Sequence, residues 1–115
     1  MTDPHPHPYA GTAGVVWTDL KRHLADRFHQ LCGEMRHYPT PIARCDDQLP
    51  KLIEQRDHAR AELERMRALD GAAADASTPS VQEIERFLRT APRSDDDAEL
   101  DLRARLRTAI SRDGA

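Results

Sequence analysis

The residues best placed to do chemistry are imidazoles and thiols on the first half of the chain: His29, Cys32, His37, Cys45 and His58. Thiolate and imidazole are the ligands that zinc takes, four of them converging at roughly 2.0–2.3 Å. Cys32, Cys45 and His29 are the first candidates for such a site. The same two thiols could form a redox pair, which needs Cα atoms within about 7 Å and suitably directed Cβ atoms. Weighed against both is a plainer expectation, in which Cys45 is a small core residue and the histidines are solvated. His29 and His58 each point roughly 140° from the apolar stripe of their own helix at 3.6 residues per turn. The metal set is therefore not expected to close, and no cofactor is expected. His5 and His7 alternate with prolines in a tail and are read as composition.

The sequence contains no Gly-rich phosphate loop, HExxH, CxxC, GxSxG or EF-hand loop. Strand signals are nearly absent, which removes the α/β platforms that host most nucleotide chemistry. No catalytic role is expected. Net charge is −3, with 17 basic and 20 acidic residues interspersed, so nucleic acid and anionic lipid are not expected partners. The last two helical segments have the outline of a helix-turn-helix, but the second opens on Asp95-Asp96-Asp97, which phosphates would repel. No stretch approaches the roughly 18 consecutive apolar residues of a membrane span. The first residues lack the regions of a signal peptide, so a cytoplasmic chain with reduced thiols is expected. All basic residues but Lys21 and Lys51 are Arg, and Asn is absent, a bias that points to a GC-rich bacterial genome.

The elements that must hold these residues are helices. Residues 1–14, with Pro4, Pro6, Pro8, Gly11 and Gly14, are expected to be a disordered His/Pro-rich tail. Trp17, Leu20, Leu24, Phe28, Leu31, Met35 and Tyr38 then recur at spacings of 3, 4, 4, 3, 4 and 3, one face of a helix. Tyr38-Pro39-Thr40-Pro41 breaks it. Ile42, Cys45, Leu49, Leu52, Ala59, Leu63 and Met66 form the next stripe, with Arg56 where an apolar residue is due. Pro50 either kinks that helix or lies in its first turn, and the first turn is preferred because the missing N–H costs little there. Asp70-Gly71 is expected to end it.

So short a turn makes the two helices an antiparallel hairpin over residues 15–70. A turn centred at Pro39–Thr40 pairs residues whose numbers sum to about 79 at the ordinary helical rise. Trp17, Leu24, Phe28, Leu31, Leu49, Leu52 and Leu63 should then be buried, and Cys32 should lie level with Cys45. Residues 71–79 read as a flexible linker. Residues 80–115 read as two short helices, the first opened by the capping box Ser80-Val-Gln-Glu83 and the second beginning at Ser94. In the second, Glu99–Arg103 and Asp101–Arg105 are favourable i,i+4 pairs.

The fold class expected is all-α: a coiled-coil-like antiparallel helical hairpin with two shorter C-terminal helices. The function expected is non-catalytic protein–protein interaction, with Tyr38, Pro39 and Pro41 at the bend and Arg56 on the stripe as contact residues. Arg56 either snorkels to water or pairs with Asp19, Asp26 or a partner chain. The alternative is a small redox- or metal-responsive protein using Cys32 and Cys45. Val15, Val16, Ile53 and Leu69 fall outside the tidy stripes and need cover. A homodimer in which two hairpins form a four-helix bundle, Arg56 near the seam, would supply it. Folding the last two helices back on the hairpin would supply it too.

Overall fold

The computed structural model describes residues 10–37, 48–72 and 79–113. Four helices account for nearly all of them: α1 (Ala10–Arg36), α2 (Gln48–Ala72), α3 (Val81–Arg89) and α4 (Asp97–Asp113). The chain is an all-α protein whose two long helices, α1 and α2, pack as an antiparallel hairpin. Among the described residues no helix is long and apolar enough to cross a membrane.

Helix α1 starts at Ala10, earlier than expected, and carries Gly11 and Gly14 within it. Each glycine costs a helix about 1 kcal/mol relative to alanine. Burial of Ala13 and Val16 in the core offsets that cost. Pro50 lies in the first turn of α2, where no intrahelical N–H is lost. Gly71 does not end α2, which runs to Ala72, and no described glycine has a positive φ. The last turn stays helical because Asp70 is tied down by two residues of α1. The Trp17 indole N–H donates to its Oδ1 at 2.9 Å, and the Lys21 ammonium contacts its Oδ2. The bend Tyr38–Pro41, Cys45 and residues 73–78 of the expected linker lie outside the described residues.

The capping box at Ser80 forms as its residue types require. The Glu83 N–H donates to Ser80 Oγ at 3.2 Å, and the Ser80 N–H donates to Glu83 Oε1 at 3.0 Å. Helix α4 begins at Asp97 rather than Ser94. Asp96 is its cap, accepting from the Ala98 N–H at 3.1 Å, while Ser94 Oγ accepts from the Asp96 N–H at 3.1 Å.

Helices α3 and α4 fold back on the hairpin. Residue 58 of α2 meets residue 99 of α4 and residue 62 meets residue 103, so α2 and α4 run in the same direction. Helix α3 runs back between them, its end at Thr90 reaching Arg65 of α2. The order is up-down-up-down, with α1 against both α2 and α4. One core joins all four helices: Trp17, Leu20 and Leu24 from α1, Ala59, Leu63 and Met66 from α2, Ile84 and Phe87 from α3, and Leu106 and Ile110 from α4. Trp17 stands edge-on to Phe87, ring centroids 5.3 Å apart.

This core lies nearer the open end of the hairpin than the sequence spacing suggests. Trp17, Leu24, Leu31 and Leu63 are buried as expected, whereas Phe28, Leu49 and Leu52 are only half-buried. The register also differs: Arg27 meets Gln55 and Trp17 meets Asp70, pairs whose numbers sum to more than 79. A connection that runs from Arg36 to Gln48 is longer than the turn assumed at Pro39–Thr40, and it moves α2 along α1. Val16 and Leu69 are covered by the core, but Val15 and Ile53 remain exposed.

Trp17→Ala should therefore lower the free energy of unfolding by about 3–5 kcal/mol. Phe28→Ala should cost clearly less, because its ring keeps contact with water. Urea denaturation of the two variants checks the ranking, and a larger loss at Phe28 would mean that the core is centred elsewhere.

Candidate functional site

Ionisable side chains concentrate where α2 faces α4. No Cα of α2 comes within 8 Å of a Cα of α4 among the described residues, so long side chains fill the gap. Arg103 is the centre. It is 4% exposed, and its Nη2 donates at 2.7 Å both to Glu62 Oε1 of α2 and to Glu99 Oε2 of its own helix, with Nε adding a 2.9 Å bond to Glu99. Glu62 and Glu99 are each 1% exposed. Arg65 closes the cluster on the α3 side, with Nη1 3.0 Å from Glu62 Oε2 and Nη2 donating to the Phe87 carbonyl at 2.9 Å.

Arg103 Nη1 has no hydrogen-bond acceptor among the described residues. The guanidinium stands 5.1 Å from the centre of the Phe87 ring, and that of Arg65 stands 4.4 Å from it. The negative face of the ring provides the electrostatic contact that carboxylates do not.

His58 extends the cluster toward water. Its Nε2 lies 3.0 Å from both oxygens of Glu99. An ionised carboxylate only accepts, so Nε2 carries a hydrogen and the charge on the ring is set at Nδ1. Ser94 Oγ donates to Glu99 Oε1 at 2.9 Å. The hydrogen bond and charge of Glu99 raise the His58 pKa, helped by Glu62 and opposed by burial and by Arg103. Burial pushes the Glu99 carboxyl up, yet hydrogen bonds from His58 and Arg103 and their positive charges outweigh it and bring the pKa down to about 2.

Beside this pair, Asp96 is held from α1, with His23 Nε2 2.6 Å and Arg27 Nε 3.4 Å from its Oδ2. Residues from α1, α2 and the α3–α4 connection enclose a cleft of about 350 Å³ here, with His58, Glu99 and Ala59 in its wall.

Serine, histidine and glutamate thus meet in one place, but not in the order that activates a nucleophile. In such a triad the histidine takes the serine proton and the carboxylate orients the histidine. Here the Ser94 hydroxyl donates to Glu99, and a carboxylate with a pKa of about 2 is a weak base. What the cluster does chemically is hold ions: it binds α2, α3 and α4 to one another.

The residues singled out from sequence fare unevenly. Cys32 is a half-buried free thiol, and Cys45 lies outside the described residues, as do Tyr38, Pro39 and Pro41. His29 is exposed, edge-on to Phe28 at 5.7 Å, and His37 is exposed on the turn after α1. Among the described residues no group of three or more His, Cys, Asp and Glu side chains could hold a metal ion. Arg56 takes neither Asp19 nor Asp26. Its guanidinium pairs with the adjacent Asp57 at 3.0 Å while its stem is half-buried, which is the snorkelling arrangement.

His58 was expected in solvent and is instead 19% exposed at its side chain, because α4 covers the face of α2 that the hairpin leaves open. Of the two i,i+4 pairs expected in α4, Glu99–Arg103 is buried, while Asp101–Arg105 is exposed at 3.8 Å. A signal was present. Glu99 and Arg103 continue the stripe of Leu102, Leu106 and Ile110, and Glu62 lies three residues from Ala59 and four from Met66.

No protein-family model, curated protein or solved structure matches the chain.

Two outcomes test the cluster. Arg103→Met should destabilise the protein by about 3–5 kcal/mol, since it removes the cation that two buried carboxylates share and leaves them only Arg65 and His58. Chemical denaturation measures this, and a loss under about 1 kcal/mol would show the site to be wet. Stability should also peak in weak acid. The Glu99 contribution is complete above its ordinary value of 4.5 and is lost as pH falls toward 2. The His58 contribution is complete below 6.5 and is lost as pH rises through its elevated folded value. Thermal melts across this range check both limbs, and His58→Gln should flatten the alkaline limb while moving the acid limb to higher pH, because Glu99 loses a charge that lowers its pKa.

Proposed function

We propose that this chain is a cytoplasmic, non-catalytic protein–protein interaction module that pairs with a second copy of itself through one end of its hairpin. The observation that supports this reading is the unequal cover along the hairpin. The contacts of α4 and the connection before it reach Arg27 on α1 and Glu54 and Gln55 on α2. Beyond them, α1 and α2 form an arm of two helices.

That arm carries half-buried Phe28, Met35, Leu49 and Leu52 and exposed Ile53. Two helices can bury only the strip between them, and the apolar flanks of such a pair gain by meeting another surface. At the other end of the hairpin, α3 and α4 complete a four-helix cross-section in cis. Two arms laid face to face complete the same cross-section in trans, and closed two-fold pairing is the commonest form of self-association. This replaces the pairing of whole hairpins expected from sequence, since α3 and α4 occupy the half around Trp17 and Met66.

Light scattering over a range of concentration tests the reading. The expected mass rises toward twice 13.0 kDa, and Ile53→Asp returns it to the single-chain value. A wild-type mass that stays at 13.0 kDa at every concentration would overturn the pairing.

A further inference from the structure

The ion cluster between α2 and α4 is not uniform along its length. In its middle, Glu62 and Arg103 join the two helices as carboxylate and guanidinium. At its end, the first turn of α4 is joined to α2 by His58 and Glu99. A histidine changes charge between about pH 5 and 8. One cross-link thus contains no histidine, and its neighbour one turn away contains one.

We propose that the His58–Glu99 contact is a proton-operated latch: protonated His58 holds residues 91–100 closed over the cleft, and loss of that proton frees this segment while the rest of the bundle stays folded.

The surroundings of His58 define what the latch works against. From α4 it faces the Glu99 carboxylate and the Arg103 cation behind it. From its own helix, Glu62 lies one turn on and Glu54 one turn back. Helix α1 brings Arg27, which is engaged with Asp96 and with Gln55, and His23, which is engaged with Asp96. The connection before α4 adds Arg93 and Asp95 at the cleft. From the α3 side, Arg65 is taken by Glu62, Phe87 and Thr90.

The carboxylates nearest His58 outnumber the free cations, which favours its charged form. That agrees with the raised pKa of the ring. With His58 neutral, the Nε2–H bond to Glu99 survives, but the charge that strengthened it is gone.

The segment is suited to local opening. Residues 91–96 are irregular, and the exposed Leu100 adds nothing to the core. Leu106, Ala109 and Ile110 fix the far half of α4 in the core regardless of pH. Opening can thus stop at Arg103, which Glu62 of α2 holds.

Amide hydrogen exchange of the full chain, corrected for intrinsic rates and read by mass spectrometry from about pH 5 to 8, tests the latch. Protection over residues 91–100 should fall as pH rises, by up to about tenfold for each unit by which closing raises the His58 pKa. Protection over residues 59–66 should hold. With His23 also replaced by Gln, so that no imidazole remains on Asp96, His58→Gln should abolish the pH dependence of residues 91–100. Flat protection in the wild type, an equal fall across α2, or pH dependence that persists in the variant would each overturn the proposal. Should the variant not fold, an NMR titration of the wild type decides. The amides of Ala98 and Leu100 must shift with the midpoint of the His58 ring, and their failure to do so would overturn it as well.

Discussion

A guanidinium leaves water only when acceptors replace its hydration, and the position of Arg103 in this fold follows from that requirement. One carboxylate comes from its own helix and the other from α2, so Arg103 can be buried only when α4 lies with residue 103 opposite residue 62. Apolar burial, here of Leu106, Ala109 and Ile110, is non-directional, whereas an ion pair requires specific partners. Moving α4 by one turn would separate Glu62 from Arg103 and leave each buried with one charged partner fewer, Glu62 with Arg65 alone and Arg103 with Glu99 alone. A buried ion pair adds little net stability over apolar residues of the same size. Its contribution here is selection of one arrangement.

The remaining features depend on that placement. With α4 seated, its first turn brings Asp96 and Glu99 against His23, Arg27 and His58, and the α3–α4 connection closes one side of a cleft. Helix α3 is then held between Arg65 and the core, its Phe87 ring meeting Trp17 on one edge and two guanidinium groups on its face. Because α3 and α4 cover only one end of a long hairpin, the other end is a narrow arm of α1 and α2 among the described residues. The two-helix arm and the His58–Glu99 contact both follow from where α4 sits.

Much of this was legible in the residues. The 3-4 spacing from Trp17 to Met35 identified α1, the turn chemistry at Ser80 and Glu83 identified α3, and the position of Pro50 was resolved as a first turn. What the sequence hid has one physical cause. The stripes contain apolar side chains alone, so nothing in the residue types of Glu62, Glu99 and Arg103, which continue them, marks burial. Treating the hairpin as a free-standing unit then placed His58 in solvent, since the face that α4 covers has no apolar signal on α2. Register failed for a separate reason. It was counted from prolines in the bend, whereas side-chain ties such as Trp17 to Asp70 reflect the longer connection.

The account stands on the coupling of Glu62 to Arg103 across the gap between α2 and α4. A double-mutant cycle with Glu62→Gln and Arg103→Met, read by urea denaturation at weakly acidic pH, measures it directly. Residues that select one register through a buried contact should couple by more than about 1 kcal/mol. If the two substitutions add to within about 0.3–0.5 kcal/mol, the residues do not meet, and α4 is seated by its apolar face alone.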